Sequence, residues 1–361
     1  MEAKISALIA TACLLAVPSA DLSACTGIAL KTQRGATIAA RTVEWAESVL
    51  DCGYAVVPRG HHQISLTPSG ENGLPFLSQH AYVGIYTGYE KFVVEGVNEK
   101  GFSAGLFFFP GFGEYPSFCE KEKAISLCDM QVVSWALATC SSIEELKKEL
   151  SYIKIVSLDP NVGTVHWRFT EKNGRMVVLE LKGGKPVFYE NPLGVLTNAP
   201  GFDFHLTNLR NYVNLHSGPA ESQLLNKSTQ LRPLGHGSAA LGLPGDFTPP
   251  SRFVRAAFFS STAPVARDCF TAVTTAFHLL NNFDIPIGMQ HKNGQAPANL
   301  PSATQFTSAT DLENLKFYYR TAWNQNIRCI DLKSINFEKI KYQVHPLDLE
   351  RVQAVEYLCI K

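Results

Sequence analysis

Charge of one sign is missing from this sequence: its 361 residues carry 32 Lys and Arg against 32 Asp and Glu, a formal net charge of zero. No run is rich in Lys and Arg, so there is no electrostatic footprint of a nucleic-acid groove and none of a polybasic membrane surface. Metal-ligand spacing is missing too. There is no Cys-x-x-Cys pair and no regular His/Cys pattern, which leaves a zinc site without support; His61, His62 and His80 read as ordinary surface or core histidines. No Gly-x-Gly-x-x-Gly follows a predicted strand, so a dinucleotide fold is not indicated. Internal repeats and low-complexity linkers are absent. The apolar run over residues 5–17, 13 residues long, is too short for a bilayer span, which needs ~20, and no later segment is longer and as apolar.

What is present is globular chemistry, 45% hydrophobic and 18% charged, in a chain long enough to bury a sizeable core. The first 24 residues stand apart. Lys4, the apolar run and the small, polar stretch Pro18-Ser19-Ala20-Asp21-Leu22-Ser23-Ala24 have the order of a secretory signal; a buried N-terminal helix is the plainer alternative. The expectation is removal of residues 1–24 and an exported chain of residues 25–361, periplasmic or extracellular, whose first residue is Cys25. Of nine cysteines, Cys13 would leave with the signal. Among the rest, Cys119, Cys128 and Cys140 are candidates for a disulfide, with buried free thiols the alternative.

Strand signals dominate the first third, over residues 26–32, 37–41, 54–58, 82–86, 92–97 and 103–109: short, β-branched and aromatic, separated by Gly-containing turns. Residues 124–151 read as helical, with Leu127, Met130, Val133, Ser134 and Leu137 at helical spacing and Ser142 with Glu145 as a capping box. Strands over 165–170 and 175–181 flank the hairpin signal Lys172-Asn173-Gly174, and a third covers 185–190. A helix is expected over about 264–281, then strands over 304–309, 315–319 and 327–332. This alternation predicts an α+β fold, helices packed on antiparallel sheets.

A cysteine that processing places first in the chain is a nucleophile with its own base. The thiolate is the attacking species, and a free α-amine, with a pKa of ~7.7–8.0, can take the thiol proton. Arg41 stands at the end of the next predicted strand, where a hairpin brings it near Cys25, and a guanidinium beside sulfur favours thiolate. Glu44 is three residues further on and can hold the α-ammonium or the Arg fork. Taken alone, an Arg and a Glu at a strand end are usually surface residues.

The surrounding sequence resembles the choloylglycine hydrolase / penicillin V acylase family of N-terminal-nucleophile amide hydrolases. The resemblance opens with Cys25-Thr26-Gly27 and Ala40-Arg41-Thr42-Val43-Glu44-Trp45, and continues through Val97-Asn98-Glu99-Lys100-Gly101-Phe102 and Gly105-Leu106 with Phe109-Pro110-Gly111. It is strongest at Leu196-Thr197-Asn198-Ala199-Pro200-Gly201-Phe202-Asp203-Phe204-His205. It returns at Leu243-Pro244-Gly245-Asp246, at Pro250-Ser251-Arg252-Phe253-Val254-Arg255-Ala256 and at Ile327-Arg328 with Ile330-Asp331-Leu332. The blocks run in family order over nearly all of the chain after residue 24.

The resemblance implies a single catalytic domain, a four-layer αββα sandwich, and a linear-amide hydrolase acting through a thioester without metal or organic cofactor. It implies Cys25 as nucleophile and, through its amine, as base; Arg41 beside the sulfur; Asn198 as oxyanion donor together with a backbone N–H; and Arg252, ahead of Arg255, completing the polar floor. Glu44 stands where the family usually has Asp. Phe108 stands where many bile-salt-cleaving members have Asn, so the second oxyanion donor must come from the backbone. Trp45, Phe107 and Phe108 are the aromatics expected to line an apolar acyl pocket, and the implied partner is a small amide with an apolar acyl group: a conjugated bile salt, penicillin V or an N-acyl homoserine lactone. A homo-oligomer, tetramer or dimer, is implied as well, although no long assembly insertion stands out. One competing reading remains: Leu22-Ser23-Ala24-Cys25 also looks like a lipoprotein signal, in which a lipidated Cys25 anchors a binding module and catalyses nothing.

Overall fold

A computed structural model describes residues 23–159 and 163–360. Residues 1–22, most of the expected export signal, lie outside the described residues. The chain begins with a hairpin of two nine-residue strands, β1 (Ser23–Lys31) and β2 (Thr37–Trp45), in a register that sets Cys25 opposite Val43 and Gly27 opposite Arg41. Strands β3 (Cys52–Val57), β4 (Tyr82–Thr87), β5 (Val93–Asn98), β6 (Ser103–Phe108), β7 (Val165–Thr170), β8 (Met176–Lys182) and β9 (Lys185–Glu190) follow. The last four are β10 (Thr304–Asp311), β11 (Lys316–Thr321), β12 (Arg328–Asp331) and β13 (Gln343–Pro346).

Two antiparallel sheets result. One is five-stranded, in the order β1-β2-β10-β11-β12; the other is eight-stranded, in the order β9-β8-β7-β6-β5-β4-β3-β13. They face each other with Phe107 fully buried between them, while Trp167 and Phe169, which project from the other face of the larger sheet, are fully buried on its outer side; burying one Phe side chain is worth ~1.5–3 kcal/mol. Helices α4 (Pro249–Thr262) and α5 (Cys269–Leu280) cover the outer face of the smaller sheet, and α1 (Val132–Thr139) covers that of the larger, joined by α2 (Ile143–Leu150). A short helix α3 (Phe202–Asn208) follows the block at Asn198. The fold is the αββα sandwich of the N-terminal-nucleophile hydrolases.

Several expectations shift in detail. The helix expected over 124–151 begins at Val132, because Ser126–Cys128 pairs as a short parallel strand with Lys154–Val156. The Ser142 cap is present, its hydroxyl accepting from the Glu145 N–H. The helix expected from about 264 starts at Cys269, where Asp268 caps it by accepting from the Thr271 N–H. Helix α4 opens on Pro249-Pro250, which fits the first helical turn, where no N–H partner is needed. The eight cysteines among the described residues are all free, with Cys128 and Cys140 buried and Cys119 exposed. The block over residues 209–245 leaves the sandwich and carries an exposed hairpin, Gln223–Asn226 with Thr229–Leu231.

Candidate active site

Alternation along the hairpin divides the candidate residues between the two faces of the smaller sheet. Side chains two apart share a face, so Cys25, Val43 and Arg41 point between the sheets, and Thr26, Thr42 and Glu44 point towards the helices. Arg41 is fully buried. It donates to the backbone carbonyls of Val94 (3.1 Å) and Leu106, pairs with Glu95 at 3.5 Å and lies 3.9 Å above the Phe107 ring. Arg168 holds the other Glu95 oxygen at 2.8 Å. Gly27 makes this arrangement possible: a Cβ there would come within 2.7 Å of Arg168 and 2.9 Å of Phe107.

Cys25 is buried near the start of β1. Its backbone N–H donates to Asn198 Oδ1 at 2.8 Å, and the Asn198 side-chain amide donates to the Phe108 carbonyl, also at 2.8 Å. Arg252 reaches in from α4. It donates to the carbonyl of Cys25, to Thr26 Oγ1 at 2.9 Å, to Asn198 Oδ1 at 2.8 Å and, through Nε, to the Phe247 carbonyl at 2.8 Å. Burial pushes the Cys25 thiol up from its ordinary value and Glu44 adds to the rise; Arg41, Arg252 and the Phe108 backbone N–H pull it down by less.

Glu44 holds neither the Arg41 fork nor the Cys25 nitrogen by a hydrogen bond. The fork lies on the opposite face of the sheet and takes Glu95, while the nitrogen takes Asn198. Glu44 Oε1 accepts from Thr304 at 3.3 Å, and Oε2 has no hydrogen-bond partner. Burial raises its carboxyl to about 7, against the lowering effects of Arg252, Thr42, Arg41 and Thr304.

The aromatic expectations need correction. Phe107 does not line a pocket: it is fully buried between the sheets, under Arg41 and 5.4 Å from Arg168. Phe108 contributes its backbone to the site. Trp45, at the end of β2, is half-buried and donates to Ser48. A cavity of about 720 Å³ next to Asn198 and Arg252 is lined by Ala24, Pro110, Phe112, Phe247 and Met289 among others; Cys25 itself is not part of its wall. A larger cavity of about 1120 Å³ lies at the opposite end of β1, near Thr32, and touches none of these groups. Arg255 donates to the carbonyls of Pro244 (2.8 Å) and Asp246 and stays off the cavity wall. Among the described residues no group of His, Cys, Asp and Glu is arranged to hold a metal ion.

The Asn198 segment is held from beneath by residues the sequence did not single out for that task. His205 Nε2 donates to the Asn198 carbonyl at 2.8 Å, its ring stacked on Phe253 at 4.7 Å. His166 Nε2 contacts the Thr197 carbonyl at 3.1 Å, and its Nδ1 lies 3.4 Å from Glu180. Glu180 also accepts from the Phe202 N–H at 2.8 Å. Burial drives His205 down to about 4, so the ring is neutral at ordinary pH. The available signal was a polar, ionisable side chain inside a predicted apolar strand: Glu95, His166, Arg168 and Glu180 all fit that description.

Residues 25–345 match the model of the linear amide C–N hydrolases, choloylglycine hydrolase family. The chain belongs to this family. It is a linear amide C–N hydrolase, and the family match begins at Cys25 itself. A bile salt hydrolase/transferase of Clostridium perfringens is 31% identical over 321 residues, covering 87% of this chain and 94% of the relative. A penicillin V acylase of Pectobacterium atrosepticum is 24% identical over 283 residues, 73% of this chain and 68% of the relative. A crystal structure of a conjugated bile acid hydrolase variant from Clostridium perfringens superposes with a TM-score of 0.79 at 27% identity, covering 92% of this chain and all of that one. The penicillin V acylase of Agrobacterium tumefaciens shares the fold, with a TM-score of 0.71 at 22% identity over 90% of this chain and 92% of that one.

Proposed function

We propose that removal of residues 1–24 exposes Cys25 as an N-terminal nucleophile that cleaves amides with an apolar acyl group. The observation that carries this reading is the convergence on Cys25: its nitrogen donates to Asn198 Oδ1 at 2.8 Å while the Phe108 N–H is directed at its sulfur. With the preceding peptide still attached, the buried thiol is held protonated and its nitrogen is an amide, which is no base. Cleavage turns that nitrogen into an amine, which can take the thiol proton. One of its hydrogens stays on Asn198, leaving the lone pair for the thiol.

The thiolate then attacks the amide carbonyl. The oxyanion takes the Asn198 N–H not engaged by Phe108 and the backbone N–H of Phe108. The α-ammonium passes its proton to the leaving amine as the carbon–nitrogen bond breaks, giving a thioester on Cys25. Water attacks the thioester, releases the acid and returns the proton to sulfur. Arg41 and Arg252 favour the thiolate by charge. A conjugated bile salt, penicillin V and an N-acyl homoserine lactone all present such an amide. The same reading has the chain exported to the periplasm or beyond, and assembled as a dimer or tetramer.

The test joins mass and turnover. Protein recovered from its export route is expected to have the mass of residues 25–361 with an unmodified Cys25, and to hydrolyse N-acyl amides. Cys25→Ala is expected to keep its circular dichroism and lose all turnover. A diacylglyceryl mass on Cys25, or full activity in Cys25→Ala, overturns the reading.

A further inference from the structure

We propose that Arg168 is a positioning residue for the reaction: by occupying Glu95 it leaves the charge of Arg41 to the Cys25 sulfur. The inference deepens the proposed function and rests on Cys25 being the nucleophile.

Glu95 on β5, Gly105 on β6 and Arg168 on β7 are register partners in one row across the larger sheet. Gly105 has no side chain, so Arg168 reaches over it to Glu95; a Cβ there would run into Glu95 Oε2. Arg168 Nη2 donates to Glu95 Oε1 at 2.8 Å, and Nη1 donates at 3.1 Å to the carbonyl of Ala40, the residue before Arg41. The other carboxylate oxygen, Oε2, lies 3.5 Å from Arg41 and accepts no hydrogen bond. Arg41 donates instead to the Val94 and Leu106 carbonyls. Arg168 therefore has the bonded half of Glu95, and the hold of Glu95 on Arg41 is the weaker one. The Phe107 ring meets both guanidinium groups, at 3.9 Å for Arg41 and 5.4 Å for Arg168, and adds a cation–π contact to each.

All three charged side chains are at most 1% exposed. Two guanidinium groups on one carboxylate leave a surplus positive charge, and burying it costs stability. That charge stands where a thiolate forms, because Cys25 and Arg41 project from the same face of the hairpin into the space between the sheets. Burial raises the Cys25 thiol, and Arg41 is the strongest of the groups that pull it back down. Burial draws Arg168 down from its ordinary value, Glu95 holds it up and Arg41 draws it down again, as for two like charges that share one partner. Without Arg168, Glu95 has a single cation for both oxygens. Arg41 then closes on it as a bidentate pair, and its charge is neutralised and withdrawn from sulfur. The other charged groups nearby are engaged elsewhere: Glu44 lies on the opposite face of β2, Arg252 enters from α4, and His166 on β7 contacts the Thr197 carbonyl and Glu180.

The test reads the thiolate itself. Alkylation of Cys25 by iodoacetamide is followed in the processed enzyme from about pH 5 to 10, by mass spectrometry of the N-terminal peptide, with exposed Cys119 as internal standard. Arg168→Met is expected to move the Cys25 inflection up by about one pH unit, so that alkylation is about tenfold slower below it and unchanged on the plateau above it. The acid limb of kcat/KM is expected to move with it. Arg168→Lys keeps the charge and is expected to restore most of the shift. Arg168→Met combined with Glu95→Gln leaves Arg41 no carboxylate to close on, and is expected to return the inflection to that of the unmodified enzyme. If Arg168→Met fails to fold, Arg168→Gln, which is neutral and still a donor, takes its place with the same expectation. An unshifted inflection, or slowing by one factor at every pH, overturns the inference and leaves the nucleophile reading intact. A double variant shifted as far as the single one overturns it equally. Full turnover by enzyme alkylated at Cys25 overturns the nucleophile reading, and the inference with it.

Discussion

At Glu44 the cost of burying a carboxylate can be read out directly. In the chain with residues 23 and 24 attached, its carboxyl is raised to about 7 from 4.5. Between these values the folded state holds a proton that the unfolded state has lost, so stability is full below about 4.5 and falls as pH rises through about 7. A shift of this size corresponds to about 3 kcal/mol. Thermal melts of the unprocessed chain from pH 4 to 8 are expected to show this decline, and Glu44→Gln to flatten it; an equal decline in the variant would assign it to another group. Glu44 was legible as a candidate because it lies three residues past Arg41. Its separation from Arg41 follows from strand alternation, which places residues an odd number apart on opposite faces. Phe107 was legible as an aromatic near the site, but only the facing sheet shows that its ring is spent beneath Arg41.

At the scale of elements, the site is a meeting of three pieces: the β1–β2 hairpin, the end of β6 with the Asn198 segment, and the first turns of α4. The hairpin was legible because two short runs of strand-forming residues are joined by a Gly-containing turn. The segment 196–205 was legible as a block, while the histidines that fix it were not, since nothing local shows what a buried imidazole faces. His205 acts as a positioning residue through the Asn198 carbonyl. His205→Phe preserves the stacking on Phe253 and removes the donor. The expected outcome is a fall in kcat of about tenfold with little change in KM, from one lost hydrogen bond, smaller than the ~10²–10³-fold loss expected for Asn198→Ala. His205→Gln, which can donate again, is expected to restore part of it. A variant that changes only KM, or only melting temperature, would contradict the positioning role.

For the whole molecule, the feature outside the sandwich is the apolar surface of residues 209–245. Val213, Leu224, Leu225, Leu231, Leu234 and Leu241 are all exposed there, an arrangement more costly for a monomer than for a subunit whose partner covers it. This supports the proposed dimer or tetramer. Light scattering on the purified enzyme is expected to give a multiple of the subunit mass, and Leu224→Glu with Leu225→Glu to give monomers; a monomeric unmodified enzyme would remove this part of the proposal.

By itself the sequence determined the α+β alternation and the order of blocks that marks the family, and it supplied the export signal ahead of Cys25 as an expectation. These are local properties: periodicity, turn residues and short motifs act through neighbours in the chain. Tertiary structure alone decided which face each residue serves, which carboxylate Arg41 takes, and which charge borders the cavity. Those outcomes join residues far apart in the chain: Arg41 meets Glu95 across facing sheets, Cys25 meets Asn198 through a loop, and Asp246 reaches the cavity at the start of α4. Burial then sets their energies, because the cost of an unpaired charge depends on every element packed around it.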